Sequence, residues 1–254
     1  MALSRRDVWH VACVNDVHVP YHDAFAWAAF LKRLDDARFD QLVINGDFAD
    51  FASVSLHEDG EPRPEFRHEV DAVRDTLSDL RRRMGNRPIH YTEGNHENRY
   101  SRYVGKRAPQ LRGRETWFSS LGLADLKITH SDYGKVHTIG KLGFTHGVYC
   151  GDSYAKQHLL RYGCSLVIGH AHRAQLHTVP VMADDGSQLV RGAFGVPCLA
   201  PVVDVSYIRG PTGHTQGWFE AYVEKKTGYF TPNIVILNEQ RVWLDGKCYN
   251  GRTA

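Results

Sequence analysis

Five short apolar runs, each closed by a cluster of Asp, Asn, Gly or His, constrain this chain more than any other feature. Val8 to Asn15 leads into Asp16-Val17-His18, Phe39 to Asn45 into Gly46-Asp47, and Pro88 to Thr92 into Gly94-Asn95-His96-Glu97. Leu142 to Thr145 leads into His146-Gly147, and Cys164 to Ile168 into Gly169-His170-Ala171-His172. Short apolar runs bounded by turn residues read as buried strands. Helical patterns separate the first three. Residues 23–37 carry Trp27, Phe30, Leu31 and Leu34 at helical spacing behind Asp23, a plausible N-cap. Residues 65–84 carry Phe66, Val70, Val73, Leu77, Leu80 and Met84 as one apolar stripe. The order β-α-β-α-β implies a largely parallel sheet covered by helices.

The second half changes character. Residues 127–145 read as strands joined at Gly134 and Gly140, and a short helix follows over 153–162. From residue 174 the pattern is hairpin-like, with turns near Asp184-Asp185-Gly186, Lys226-Thr227-Gly228 and Asp245-Gly246. The expected fold class is α/β: a four-layer αββα sandwich of two mixed sheets flanked by helices, as one domain over residues 1–254. Trp218 to Leu244 is expected to complete the second sheet. Segments at about 51–64 and 100–126 fit neither period and read as surface excursions, where specificity often resides.

Bulk composition narrows the function classes. Lys+Arg number 31 against 29 Asp+Glu, so the net +2 does not mark a dedicated nucleic-acid binder. The five cysteines are scattered without a CxxC pair, which argues against a zinc ribbon or a disulfide framework and fits a reducing cytoplasm. MALSRRDVWH lacks the apolar stretch of a signal peptide. No run approaches a membrane span of about 18 apolar residues. Histidine is the outlier, with 15 residues, many beside Asp, Asn or Gly.

Ligand sites in α/β sheets lie at the carboxyl ends of strands, so five strand ends can converge on one place. The donors there are oxygen and nitrogen without thiolate, which suits two divalent ions, manganese first, with iron, zinc or nickel as alternatives. In an extended Asp16-Val17-His18 segment the first and third side chains point the same way and reach one ion. The same reasoning applies to His170 and His172. Glycine before Asp47, Asn95 and His170 allows sharp turns and close approach.

The set Asp16-x-His18, Gly46-Asp47, Gly94-Asn95-His96-Glu97, His146 and Gly169-His170-x-His172 resembles the five-block signature of calcineurin-like metallophosphoesterases, in order across residues 13–172. The resemblance implies that Asp16, His18 and His172 hold one ion, that Asn95, His146 and His170 hold the other, and that Asp47 bridges them. It implies that His96 is a general acid rather than a ligand, with Asp50 as the carboxylate that holds its imidazolium. The implied mechanism is in-line attack on phosphorus by a hydroxide bridging the two metals. Arg99, three residues from His96, leads a basic run with Arg102, Lys106, Arg107, Arg112 and Arg114, and is the expected substrate-binding residue.

Protein Ser/Thr phosphatases of the family place an Arg clamp after the second block, whereas here Asp50 is followed by Phe51 and Ala52. GDFADF with GNHENR is similar to phage and prophage members. The leading expectation is a phosphodiesterase acting on nucleotides or small nucleotide-like diesters, cyclic nucleotides included, in the cytoplasm (of the host, if phage-encoded) and without a membrane partner. The alternatives are a phosphomonoesterase such as a protein Ser/Thr phosphatase, or a nuclease using the basic run 99–114, nucleic acid being the less favoured partner. A non-catalytic scaffold is the least expected, because every block is intact. The remaining histidines, His10, His90, His137, His158 and His214 among them, read as structural or exposed; His57 and His68 draw notice beside the first excursion.

Overall fold

The computed structural model describes residues 4–56, 64–183, 186–202 and 213–251. Two sheets form its centre. The first has six strands in the order β11-β10-β1-β2-β3-β4, built from β1 (Val8–Val14), β2 (Gln41–Ile44), β3 (Ile89–Thr92), β4 (Ile128–Ser131), β10 (Gly217–Glu224) and β11 (Phe230–Ile236). Strands β1 to β4 run parallel, and β10 joins β1 antiparallel. The second has the order β5-β6-β7-β9-β8, from β5 (His137–Ile139), β6 (Leu142–Thr145), β7 (Ser165–Ile168), β8 (Gln175–Met182) and β9 (Gln188–Gly195). Its central strands β6, β7 and β9 are parallel.

Strand periodicity divides the core. On β1, Val11 and Cys13 enter the layer between the sheets with Val43, Phe144, Val167, Phe194 and Phe219, while Ala12 and Val14 face the helices. Helices α1 (Ala24–Ala37) and α2 (Phe66–Met84) cover the first sheet, and α5 (Tyr154–Tyr162) covers the second. These are the four expected layers. Asp23 caps α1 by accepting from the Phe25 and Ala26 amides, both at 2.9 Å. On α2, Val73, Leu77, Leu80 and Met84 are fully buried, each such side chain contributing about 1.5–3 kcal/mol over exposure. No described helix is long and apolar enough to cross a membrane.

Two expectations are corrected. Trp218 to Leu244 does not complete the second sheet: β10 and β11 extend the first, beside β1. The chain then forms a separate ribbon of β12 (Arg241–Leu244) and β13 (Lys247–Asn250), tied to α1 where Arg33 donates to Asp245 at 2.7 Å. Most of the 100–126 stretch is not an excursion. Helix α3 (Asn95–Arg107) runs straight out of the third block, and α4 (Trp117–Ser120) buries Trp117 against Tyr91. Of the 51–64 segment, Phe51 to Leu56 is ordered as a 3-10 turn over Ala52–Val54; residues 57–63, including His57, lie outside the described set, as do Asp184 and Asp185.

Candidate metal centre

Strands β1, β2 and β3 end on the same side as β6 and β7, so five loops meet at one edge of the sandwich. The ligand side chains are aimed by the backbone rather than by strand alternation. Asp16, His18, Asp47, His170 and His172 all have positive φ, between 49° and 68°. The extended Asp-x-His geometry expected from the sequence is therefore not how Asp16 and His18 converge. A left-handed residue costs roughly 1–2 kcal/mol outside glycine, and its concentration at these positions is the pattern of a functional site. Two glycines permit the close approach: a Cβ on Gly46 would fall 2.5 Å from His146 Nδ1, and one on Gly94 only 2.2 Å from Asp47 Oδ1.

The donors form two main groups. Asp16, His18 and His172 offer one set of atoms lying within 4.8 Å of each other, and Asp47, His146 and His170 offer another. In the first, Asp16 Oδ1 lies 3.2 Å from His172 Nε2, and the Nε2 atoms of His18 and His172 are 3.3 Å apart. In the second, His146 Nε2 lies 3.2 Å from Asp47 Oδ2 and 3.0 Å from Asn95 Oδ1. Asp16 Oδ1 is buried and accepts no hydrogen bond. An orphaned carboxylate oxygen beside converging imidazole nitrogens fits a divalent cation, and the all-oxygen-and-nitrogen donor set agrees.

A third grouping adds His96 to His18 and Asp47. His96 is a poor ligand in this arrangement, because Arg99 Nη2 stands 2.9 Å from its Nε2 and a guanidinium repels a cation. Its Nδ1 is 2.9 Å from the Asp50 carbonyl and 3.0 Å from Asp50 Oδ1. Asp50 Oδ1 also lies 2.8 Å from His18 Nδ1. One carboxylate thus orients a metal-facing histidine and the histidine beside it. Arg99 Nη1 donates to the Asp50 carbonyl at 3.1 Å, so the sequence-derived set of Asp16, His18, Asp47, Asp50, Asn95, His96, Arg99, His146, His170 and His172 is assembled in one place.

Electrostatics follow from this crowding. Burial opposes the charge of His146, but Asp47 and then Asp16 push its pKa up to about 9. Burial and the nearby His146 pull His170 down to about 4. Burial opposes charge on Asp50, yet His18 and His96 hold its carboxyl well below the usual range, and Asp47 and Asp50 in turn raise His96.

Sequence reasoning missed the role of Glu97 and the position of His214 beside the cluster. Glu97 is fully buried and accepts from the amides of Asp47, Phe48, Ala49 and Gly94 at 2.8–3.0 Å and from Tyr91 Oη at 2.6 Å. It therefore fixes the Asp47 loop to the start of α3. Its place directly after the third-block histidine was the available signal. His214 packs 4.7 Å from the His172 ring; it has no motif to announce it. His158 keeps its structural reading: its Nε2 accepts from Val148 N at 2.9 Å and its Nδ1 donates to the Tyr154 carbonyl at 2.7 Å, holding the loop after His146.

The family model for calcineurin-like phosphoesterases matches residues 10–174, and the chain belongs to that family, which is dinuclear and metal-dependent. Among relatives it is similar to the Gene 54 protein of Mycobacterium phage L5, with 25% identity covering 94% of this chain and 98% of that one. The Gene 54 protein of Mycobacterium phage D29 is likewise 25% identical, over 93% and 96% of the two chains. Similar solved structures include Vacuolar Protein Sorting 29 from Cryptosporidium parvum, at 13% identity, TM-score 0.47 and coverage of 96% and 95%. A dimetal phosphatase from Danio rerio matches at 12% identity, TM-score 0.42 and coverage of 86% and 94%.

Proposed function

We propose that this phosphoesterase is a phosphodiesterase acting on nucleotides or small nucleotide-like diesters, with Asp16, His18 and His172 holding one divalent ion, Asn95, His146 and His170 a second, and Asp47 shared. Bound there, the ions supply an activated water and neutralise charge on the phosphoryl oxygens. The protein's own residues handle the leaving group. Asp50 fixes the His96 ring through Nδ1, leaving Nε2 turned toward the cluster, 3.7 Å from Asp47 Oδ2. From there His96 donates a proton to the departing oxygen. Arg99 Nη2 donates to the same nitrogen in the resting arrangement; once an incoming phosphoryl oxygen draws the guanidinium off, Nε2 takes a proton from solvent water, and the imidazolium so formed is the donor in that transfer.

The observation favouring a diester is what stands after Asp50. Phe51 is fully buried, with its ring 5.9 Å from Phe66 and 6.0 Å from Tyr100. The position used for an arginine clamp in protein phosphatases is an apolar plug. Arg173, next to the last ligand, is turned away, 2.8 Å from the Cys150 carbonyl and 3.5 Å from Asp152. A phosphomonoester carries about −1.5 to −2 charges at pH 7 and calls for more guanidinium contact than Arg99 alone provides; a diester carries less charge. Manganese is the metal we favour, and the host cytoplasm is the setting, in keeping with the phage-encoded relatives. The test is a paired assay with Mn²⁺. Preference for bis(p-nitrophenyl) phosphate over p-nitrophenyl phosphate supports the proposal. Preference for the monoester moves the protein to the phosphatases.

A further inference from the structure

The basic run 99–114 is only partly accounted for by the reaction centre. On α3, Asn95, Arg99, Arg102 and Lys106 stand at steps of four, three and four, which is one helix face. With Leu56 they line a cleft of about 320 Å³. It continues into a hollow of about 430 Å³ that shares Arg102 and Lys106 and adds Arg112, Thr116 and one carboxylate, Glu115. One end is the metal cluster, because Asn95 Oδ1 is 3.0 Å from His146 Nε2. At 1.5 Å per residue, Lys106 lies roughly 16 Å along the axis from Asn95. A phosphate seated among Asn95, Asp47 and His146 cannot also touch Lys106.

Beyond Arg99, which is engaged by Asp50 and His96, the charges along this face are unspent. Arg102 and Lys106 are exposed and make no hydrogen bond or ion pair with a described residue. The arginines that close α2 behave differently: Arg81 donates to the Leu126 carbonyl and Arg83 to Asp79. Complementing the helix dipole explains Lys106 and Arg107 in the last turn, but not Arg102 in the middle of α3.

We infer that the trough along α3 is a second phosphate-binding site, in which Arg102 and Lys106 hold a phosphate of the same substrate at least one unit from the bond being cut. The substrate class is then an oligonucleotide chain rather than an isolated or cyclic diester. This rests on the phosphodiesterase reading, keeps its chemistry, and replaces the small diester with a nucleotide chain. Arg99, close to His96, serves the scissile phosphate; Arg102 and Lys106 serve the next.

The test compares kcat/KM for bis(p-nitrophenyl) phosphate, a dinucleoside monophosphate and a thymidine hexanucleotide, in wild type and in Arg102→Ala/Lys106→Ala. Wild type is expected to favour the hexanucleotide over the dinucleoside monophosphate by about tenfold or more, a difference of about 1.4 kcal/mol. The double variant is expected to lose most of that ratio. Its dependence of log kcat/KM on log salt for the hexanucleotide is expected to flatten by about 0.7, the value for one phosphate contact on a single strand. Turnover of the p-nitrophenyl diester without any length preference, or a preference and salt slope that survive the double substitution, overturns the inference alone. Failure of wild type to cleave any of the three diesters overturns the phosphodiesterase reading and this inference with it.

Discussion

Glu97→Gln is the substitution whose cost the geometry defines best. Oε1 accepts from Phe48 N, Ala49 N and Tyr91 Oη, and Oε2 accepts from Asp47 N and Gly94 N. An amide cannot replace both oxygens. In its better orientation it keeps the Oε1 contacts and turns an NH₂ toward the Asp47 and Gly94 amides. Two buried backbone donors then lose their acceptor, at about 1–3 kcal/mol each, or roughly 4 kcal/mol together. That is a large part of a total stability of about 5–15 kcal/mol, and for a chain of this size it lowers Tm by roughly 8–16 °C. Activity suffers separately, because one of the released amides is that of Asp47 itself. A displacement of about 1 Å at a reacting centre costs on the order of 10²-fold. Urea unfolding of the variant should show a lower midpoint at unchanged slope, and Mn²⁺-supported diester cleavage should fall by about the stated factor. Tyr91→Phe, which removes one donor and leaves the carboxylate, should cost only about 1–2 kcal/mol. A Glu97→Gln protein within about 1 kcal/mol of wild type, below even one unsatisfied amide, and fully active would refute the reasoning.

Two further expectations follow from the same contacts. His96→Ala should slow esters with alkyl leaving groups by about 10²–10⁴-fold while hardly affecting p-nitrophenyl esters, whose leaving group needs no proton; equal losses on both would remove His96 from the acid role. In the metal-free protein His146 keeps its proton up to about pH 9, so an incoming ion must displace it. Metal affinity should climb with pH up to about 9 and then level off, by up to tenfold per unit from this group. Because the folded value is raised, this group's contribution to metal-free stability is complete below about pH 6.5 and is lost as pH rises through about 9. Calorimetric titrations at several pH values check the affinity, and a flat profile would contradict the assignment.

The sequence exposed the ligands because each sits in a short motif directly after its strand: Asp47 after Ile44, His146 after Thr145, His170 after Ile168. The apolar stripe of α2 was equally plain, since one helix face is a local property. Sheet membership was not. Whether β10 adds to the first sheet or the second depends on its register with β1, where Ala221 pairs with Val11, and that choice is made by contacts some 200 residues apart. The left-handed backbone of Asp16 and His18 was also hidden, because Asp and His can occupy either region and the loop around them decides. Helix α3 was hidden because its basic residues mask a stripe of Tyr100 and Val104, which is buried in the same cluster as Phe51 and Trp117. The role of Glu97 depends on amides 48 to 50 residues earlier, which no local pattern carries.

The central claim is a pair of ions joined through Asp47, and counting them is the direct test. Metal-free protein titrated with Mn²⁺, with bound metal measured by elemental analysis after gel filtration, should saturate at two ions per chain. Asp47→Ala should retain fewer than two and lose metal-dependent turnover. Saturation at a single ion in wild type, or two ions and turnover within tenfold in Asp47→Ala (a bridging ligand's loss should cost far more), would contradict the account.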